Sequence, residues 1–163
     1  MTPALKRRAG APSVDIQVAS DLWSAQPAAE QTVLDAIAAA AAAISTSDGE
    51  VSVVLTDDAA IAKLNHDWRG IDKSTNVLSF PAPKTKAGAG AAMLGDIVIA
   101  YETLARESAD ENRIFLHHLA HLSVHGFLHL LGYDHENDSD ADEMEGLESR
   151  IMTSLKMPDP YIA

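Results

Sequence analysis

The spacing of apolar residues along the chain alternates between the two-residue period of a strand and the longer period of a helix. Alternation or short β-branched runs predict strands over residues 13–18, 51–55, 75–80 and 96–100. Helical spacing predicts helices over residues 26–44, 59–68, 102–110, 112–131 and 140–155. Strands interleave with helices early, and the chain then ends in consecutive helices. This order predicts an α+β fold, with a small mixed β-sheet packed against helices, rather than a doubly wound one.

Local signals support several of these boundaries. Pro27 suits the first turn of the first predicted helix, and Asp57 with Asp58 suits the cap of the second. Gly132 is a natural C-terminal cap for the fourth helix. The first dozen residues carry no such pattern, so we expect a flexible tail over residues 1–12 and one domain over residues 13–163.

Length and composition are those of a single globular protein. The chain has 163 residues, of which 47% are hydrophobic and 22% charged. It has no cysteine, which excludes disulfides, a thiolate nucleophile and cysteine-held metal sites. Any bound metal would need histidine and carboxylate ligands. No apolar stretch reaches the roughly 18 residues of a membrane span, and no signal peptide is evident, so we expect a cytoplasmic protein without a membrane partner.

The net charge of -12 argues against a nucleic-acid partner, because phosphate binding depends strongly on positive charge. The charge is segregated, however. Residues 134–150 carry eight acidic side chains and one basic one, whereas residues 63–86 carry five basic side chains and two acidic ones. The acidic run from Asp134 to Glu148 is interpreted as a solvated helix face, or as a wall that repels RNA. The basic segment leaves a nucleic-acid partner open.

Six of the seven histidines lie between positions 117 and 135. His125 and His129 are one helical turn apart on one face, so both imidazoles can reach one ion. Gly132 lets the chain turn back, and His135 can then arrive as a third ligand. Three neutral imidazoles with an open fourth position describe a catalytic zinc site on a zincin-like helix carrying His-x3-His.

The remaining histidines fit this site less well. His117 lies about 120° around the helix from His129, so we interpret His117, His118 and His121 as packing residues or as residues that support a ligand from behind. Metzincin proteases share the spacing but place a glutamate, their general base, directly after the first histidine. Here that position is Gly126. Peptide hydrolysis is therefore disfavoured, and neither Asp134 nor Glu136 comes from the expected helix face to replace the missing base.

The segment His125 to His135, His-Gly-Phe-Leu-His-Leu-Leu-Gly-Tyr-Asp-His, resembles the signature of the YbeY-type endoribonucleases, also described as rRNA maturation factors. Further agreement lies in Leu64-Asn65 with Trp68-Arg69-Gly70, in the run from Asp72 to Pro81, in Leu94-Gly95-Asp96-Ile97 and in the closing Asp159-Pro160-Tyr161. The resemblance covers roughly residues 13–161.

This resemblance implies a zinc-dependent, single-strand-specific endoribonuclease in ribosomal RNA processing, acting in 16S rRNA 3′-end maturation and ribosome quality control. It implies one Zn²⁺ per chain on His125, His129 and His135, and a catalytic cleft arginine at Arg69. A guanidinium there can pair with two phosphate oxygens of the scissile group. The implied partners are ribosomal RNA and the small ribosomal subunit, with ribosomal or assembly proteins as further candidates.

Several alternatives stay open. The nucleophile can be a water or the RNA 2′-hydroxyl, since no general base is evident. Other functions are a zinc hydrolase acting on peptides or small molecules, and a ribosome assembly factor with a structural zinc. Arg69 has an alternative role in an ion pair with Asp67 or Asp72. Candidate RNA contacts are the lysines Lys73, Lys84 and Lys86; Trp23 and Trp68 are interpreted as core residues, and Ser79 as a strand residue.

Overall fold

A computed structural model describes residues 6–7, 11–46, 48–83 and 93–162. Its strands are β1 (Lys6–Arg7), β2 (Ser13–Val18), β3 (Glu50–Thr56), β4 (Val77–Pro81) and β5 (Met93–Ala100). Its helices are α1 (Ala29–Ala43), α2 (Asp58–Arg69), α3 (Tyr101–Asp110), α4 (Phe115–Leu130) and α5 (Asp138–Ser154), with a 3₁₀ turn at Asp21–Ala25. Every predicted strand and helix is present, most within three residues of the predicted ends.

The strands form one mixed sheet in the order β1-β2-β3-β5-β4. Strands β2, β3 and β5 run parallel, and the outer strands β1 and β4 are antiparallel to their neighbours. The predicted α+β fold with a small mixed sheet is confirmed. Because β4 is an edge strand, its outer side is open along the described part of the chain.

Side chains of β5 alternate between two cores, as the two-residue period of a strand requires. Ile97 and Ile99 join the main core with residues of α1, α4 and α5. Val98 and Ala100 face the opposite side, where they pack with Ile61 of α2. The sheet is thus covered by helices α1, α4 and α5 on one face and by α2 on the other.

Helix α4 lies at the centre of the main core, and ten of its sixteen residues are buried. Phe127 and Leu128 have no exposed surface. The helix starts at Phe115 rather than at the predicted residue 112, because Asn112 has a left-handed backbone with φ of 55°. Burial on nearly all sides holds this helix, and any side chain on it, in a fixed position.

The two tryptophans differ. Trp23 is 3% exposed, and its indole N–H donates to the Thr56 carbonyl over 2.8 Å, so the core interpretation is correct for it. Trp68 is 72% exposed, and for that residue the core interpretation is wrong.

Some predictions concern parts of the chain outside the described residues. The lysines Lys84 and Lys86 belong there, with the loop around them. The flexible tail over residues 1–12 also stays a prediction, although Lys6–Arg7 pairs antiparallel with β2. None of the described helices combines the length and the apolarity needed to cross a bilayer.

Candidate metal centre

Two imidazoles meet on one face of α4. His125 and His129 are separated by one turn, and their Nε2 atoms lie 3.1 Å apart, with ring centroids 4.5 Å apart. Both side chains are partly buried. Since the backbone of α4 is packed into the core, the helix determines where the two rings lie relative to each other.

The turn after α4 brings in the third imidazole. Gly132 has a φ of 98°, in the left-handed region that glycine adopts most readily, and it reverses the chain direction. The Asp134 carboxylate then accepts the His135 backbone N–H over 2.7 Å. The His135 ring centroid lies 5.8 Å from that of His125 and 5.2 Å from that of His129.

The three histidines fit a tetrahedral metal ion. One ligand nitrogen from each lies within 4.8 Å of the others. Zinc–nitrogen bonds of about 2.0–2.1 Å at tetrahedral angles place ligand nitrogens about 3.3 Å apart, close to the spacing of His125 and His129. Burial and the neighbouring His125 and His135 lower the pKa of His129, so its imidazole stays neutral and keeps a lone pair for a metal.

Behind His125 lies the carboxylate of Glu148 from α5, which is 1% exposed. Its Oε1 atom accepts from His125 Nδ1 over 3.2 Å and from His121 Nε2 over 2.5 Å. Burial alone would raise the pKa of Glu148, but the hydrogen bonds from His121 and His125 outweigh it and hold this pKa at about 2. The carboxylate is therefore ionised at neutral pH, and a hydrogen on His125 Nδ1 leaves Nε2 free to face the cleft.

The C-terminal segment completes the support of Glu148. The Tyr161 hydroxyl donates to Glu148 Oε1 over 3.0 Å. Burial and the Glu148 charge both raise the pKa of Tyr161, so this hydroxyl keeps its proton. Asp159 accepts from the Ser149 hydroxyl and the Tyr161 backbone N–H, which fixes the segment against α5. The Asp159-Pro160-Tyr161 sequence thus has a structural explanation.

Sequence reasoning missed Glu148. Its interpretation as part of a solvated acidic face is wrong, because the side chain is buried against His121 and His125. The signal was present in the helical period: Met144, Leu147 and Ile151 form the buried stripe of α5, and position 148 falls on the same stripe. A carboxylate on a buried stripe requires a partner, and the histidines are the candidates.

Arg69 and the three histidines line one open cleft of about 490 Å³. Asn76, Val77, Ser79 and Pro81 form the wall along β4, and residues 132–134 form the opposite rim. Arg69 is exposed, and the described residues give it no ion pair; Asp67 pairs with Lys63, and Asp72 with His66. The alternative ion pairs of Arg69 are therefore absent from the described residues, and its positive charge faces the cleft unpaired there.

Close packing explains why position 126 is glycine. A Cβ atom there would lie 3.0 Å from Ile97 Cγ2 and 3.1 Å from Ser79 Oγ. The Ser79 hydroxyl also donates to the Gly126 carbonyl over 3.1 Å, which agrees with a structural role for that serine. Helix α4 thus rests on the sheet at the position where metzincins carry their glutamate. A side chain at this position would require Ile97 and Ser79 to shift.

The fold and the site together define a small α+β protein in which three histidines that could hold a metal ion come together, two on a buried helix and one from the turn after it. The family model described as Endoribonuclease YbeY matches residues 16–156, and the chain belongs to this family. A Bradyrhizobium diazoefficiens protein named endoribonuclease YbeY is 54% identical over 156 residues, covering 92% of this chain and 85% of that protein.

A second relative agrees with this family, and a solved structure agrees with the fold. A Nitrobacter winogradskyi protein, also named endoribonuclease YbeY, is 52% identical over 160 residues, covering 94% of this chain and 84% of that protein. The solution structure of TM1509 from Thermotoga maritima is similar with a TM-score of 0.55 at 22% identity, covering 92% of this chain and 99% of that one. At that identity the likeness concerns the fold alone.

Proposed function

We propose that this protein is a zinc-dependent endoribonuclease that cleaves single-stranded ribosomal RNA. Its expected role is maturation of the 16S rRNA 3′ end and ribosome quality control, with the small ribosomal subunit as partner and the cytoplasm as location. One observation carries the proposal: three imidazoles and an unpaired arginine line the same open cleft. The name of the family and of the relatives, endoribonuclease, supplies the reaction class.

His125, His129 and His135 would hold one zinc ion per chain through neutral imidazole nitrogens. A bound zinc ion supplies Lewis-acid chemistry, by acidifying a water or polarising a phosphate oxygen. The chain does the rest. Glu148 holds His125 with Nε2 facing the cleft, and Gly132 places His135 beside the other two rings.

Arg69 acts on the substrate from across the cleft. Its planar guanidinium can donate to two non-bridging oxygens of the scissile phosphate, where negative charge gathers in the transition state. Either a water or the RNA 2′-hydroxyl is the nucleophile, and analysis of the product ends separates them. A 2′,3′-cyclic phosphate product requires attack by the 2′-hydroxyl.

Gly126 weighs against the alternative of a peptide hydrolase, because the glutamate that metzincins use as a base is missing and α4 packs closely on Ile97 and Ser79 at that position. A peptide-library digest tests that alternative directly. The remaining alternative, an assembly factor with a structural zinc, predicts ribosome co-sedimentation that survives loss of the metal.

The test combines zinc content with cleavage of an RNA fragment spanning the 16S rRNA 3′ end. We expect wild type to carry about one zinc and to cleave, His129→Ala to lose both properties, and Arg69→Ala to keep zinc but lose cleavage. His117→Ala is the matched control, because His117 lies on the same helix but lines a different cavity. Full zinc retention in His129→Ala, or unchanged cleavage by Arg69→Ala, would contradict the assigned roles.

The same variants can be compared in cells depleted of the protein, by mapping the 3′ ends of small-subunit rRNA. Unprocessed ends that wild type rescues and Arg69→Ala does not are the expected result. Normal ends under full depletion would show that the substrate is not this rRNA end.

A further inference from the structure

Trp68 is the most exposed aromatic side chain in the described part of the chain, with 72% of its surface open to solvent. We infer that its indole, next in the chain to the cleft-lining Arg69, is a stacking platform for an unpaired base of RNA that extends out of the catalytic cleft. This inference rests on the proposed function and adds a substrate contact to it.

The end of α2 holds Trp68 in a defined place. Gly70 caps the helix with a φ of 70°, and its backbone N–H donates to the His66 carbonyl over 2.9 Å. Asn65 is 3% exposed, and its side-chain N–H donates to the Lys73 carbonyl over 3.0 Å. These bonds fix the last turn of the helix and the chain that follows it, so Trp68 projects from a rigid base.

Phe80 supports the indole from the sheet. The two ring centroids lie 6.0 Å apart, with planes inclined by 58°. Phe80 sits on β4 between Ser79 and Pro81, which both line the cleft. Because strand side chains alternate, the aromatic pair and the cleft lie on the two sides of one edge strand. Among the described residues no strand lies beyond β4, so RNA that leaves the cleft past this strand can reach Trp68.

Charge favours this route over the opposite one. Arg69, the residue next to Trp68, lines the cleft, and its positive charge is unpaired in the described residues. On the other side, the rim formed by residues 132–134 continues into Asp140 and Glu143 of α5, which repel a phosphate backbone. A single strand that binds the metal centre is therefore directed toward the end of α2.

An exposed indole beside a phosphate-binding arginine suits single-stranded RNA. Every base offers an aromatic face, so stacking gives affinity with little dependence on sequence, while the guanidinium binds the backbone. Removing such a platform costs about 1–3 kcal/mol per base, which is about a 5- to 150-fold increase in Kd. The increase should fall on binding, with kcat unchanged, since Trp68 does not line the cleft beside the histidines.

Fluorescence reports on Trp68 because the chain has only two tryptophans, and the other, Trp23, is buried. Zinc-loaded protein is mixed in a stopped flow with a short single-stranded oligoribonucleotide, so that emission is recorded before cleavage. Trp68→Phe, which keeps an aromatic face, provides the signal of Trp23 alone. An abasic oligonucleotide of equal length supplies the phosphates without bases. We expect quenching by the first oligonucleotide in wild type, no quenching by the abasic one, and no quenching in Trp68→Phe.

Affinity and kinetics are then compared between wild type, Trp68→Ala and Trp68→Phe. We expect Trp68→Ala to raise Kd and KM at least about fivefold with unchanged kcat, and Trp68→Phe to stay close to wild type. Unchanged affinity in Trp68→Ala, while cleavage continues, would overturn the inference and leave the nuclease proposal standing. The inference would also be overturned if Trp68→Ala bound RNA normally but no longer co-sedimented with ribosomes, because Trp68 would then contact a protein. Absence of RNA binding by wild type would overturn the nuclease proposal itself.

Discussion

Glu148 determines which nitrogen of His125 is available in the cleft. An imidazole that donates from Nδ1 to a carboxylate must present Nε2 as its lone-pair nitrogen, and the ring cannot rotate without breaking that bond. The same carboxylate oxygen accepts from His121 and Tyr161, so it is held by two histidines of α4 and by a tyrosine of the C-terminal segment. The other oxygen is buried without a hydrogen-bond partner among the described residues. Such an arrangement costs stability, and its position directly behind His125, a candidate metal ligand, indicates a positioning role.

We therefore expect Glu148→Gln to weaken zinc binding about 10- to 100-fold, because the amide is a poorer acceptor and releases the orientation of His125. Competition with a chromophoric chelator measures the affinity without reference to activity. The control is Glu143→Gln, an exposed carboxylate on the same helix. Equal zinc affinity in the two variants would contradict the positioning role.

The pKa of Glu148 also predicts an acid transition. A carboxyl whose pKa falls from 4.5 in the unfolded chain to about 2 in the folded one stabilises the fold above pH 4.5. That stabilisation, about 3 kcal/mol, is lost as the pH falls from 4.5 toward 2. Denaturant unfolding of the metal-free protein across this range should show the loss in wild type and a smaller loss in Glu148→Gln. If the free energy of unfolding fell equally with pH in wild type and in Glu148→Gln, the lowered pKa of Glu148 would not contribute to stability.

At the scale of elements, the packing of α4 against the sheet determines where His125 and His129 lie. Two glycines allow the close approach: Gly126 on the helix, and Gly95 where β5 passes under Leu130. At Gly95 a Cβ atom would lie 2.3 Å from the Phe80 carbonyl oxygen and 2.8 Å from Leu130 Cδ2, and the backbone has a φ of 143°. Neither the strand β4 nor the helix can move away without opening the core.

Gly95→Ala is expected to destabilise the fold by about 1–3 kcal/mol or more, because the clash is with backbone and the φ value disfavours a side chain. Gly146→Ala is the matched control: it lies on the outer part of α5, where a Cβ atom meets nothing within 4 Å. That substitution should stabilise the protein by about 0.5–1 kcal/mol. Urea unfolding of both variants measures the difference, and an equal effect in both would show that the approach at Gly95 is not tight.

Helices and strands could be predicted from the sequence where the spacing of apolar residues is regular. Individual contacts between them could not. The β5 strand and α4 could be derived because their apolar spacing is unambiguous. The contact between Glu148 and His125 joins residues 23 positions apart on two helices, and no local pattern encodes it. Trp68 shows the same limit, because its exposure depends on where α2 ends relative to the edge strand β4. Where α2 ends relative to β4 depends on how the whole sheet is assembled, and the local sequence around Trp68 does not encode it.

At the scale of the molecule, the large negative charge is compatible with an RNA substrate because it is unevenly placed. Asp140 and Glu143 lie beside the turn that follows α4, whereas Arg69 lies at the end of α2 on the other side of the cleft. An acidic side and a basic side then flank the metal centre. We expect these charges to fix the path of a single strand rather than to supply general affinity.

The core of the protein does not depend on the metal site. The main cluster of buried apolar side chains extends over α1, α4, α5 and the sheet, and none of the three cleft histidines belongs to it. Removal of zinc should therefore leave a folded protein that is less stable, in contrast to small zinc modules that unfold without metal. With free zinc at 100 times its Kd, binding adds about 2.7 kcal/mol.

For a chain of this size that gain raises Tm by about 5–10 °C, as calorimetry with and without a chelator can measure. His129→Ala should show no zinc-dependent rise, because two histidines hold the ion far more weakly than three. Chelation that abolishes the folded state altogether would contradict this view and would instead favour a structural zinc that holds the C-terminal helices together. A folded metal-free protein that regains RNA cleavage when zinc is restored would agree with a metal that serves chemistry on a scaffold already formed.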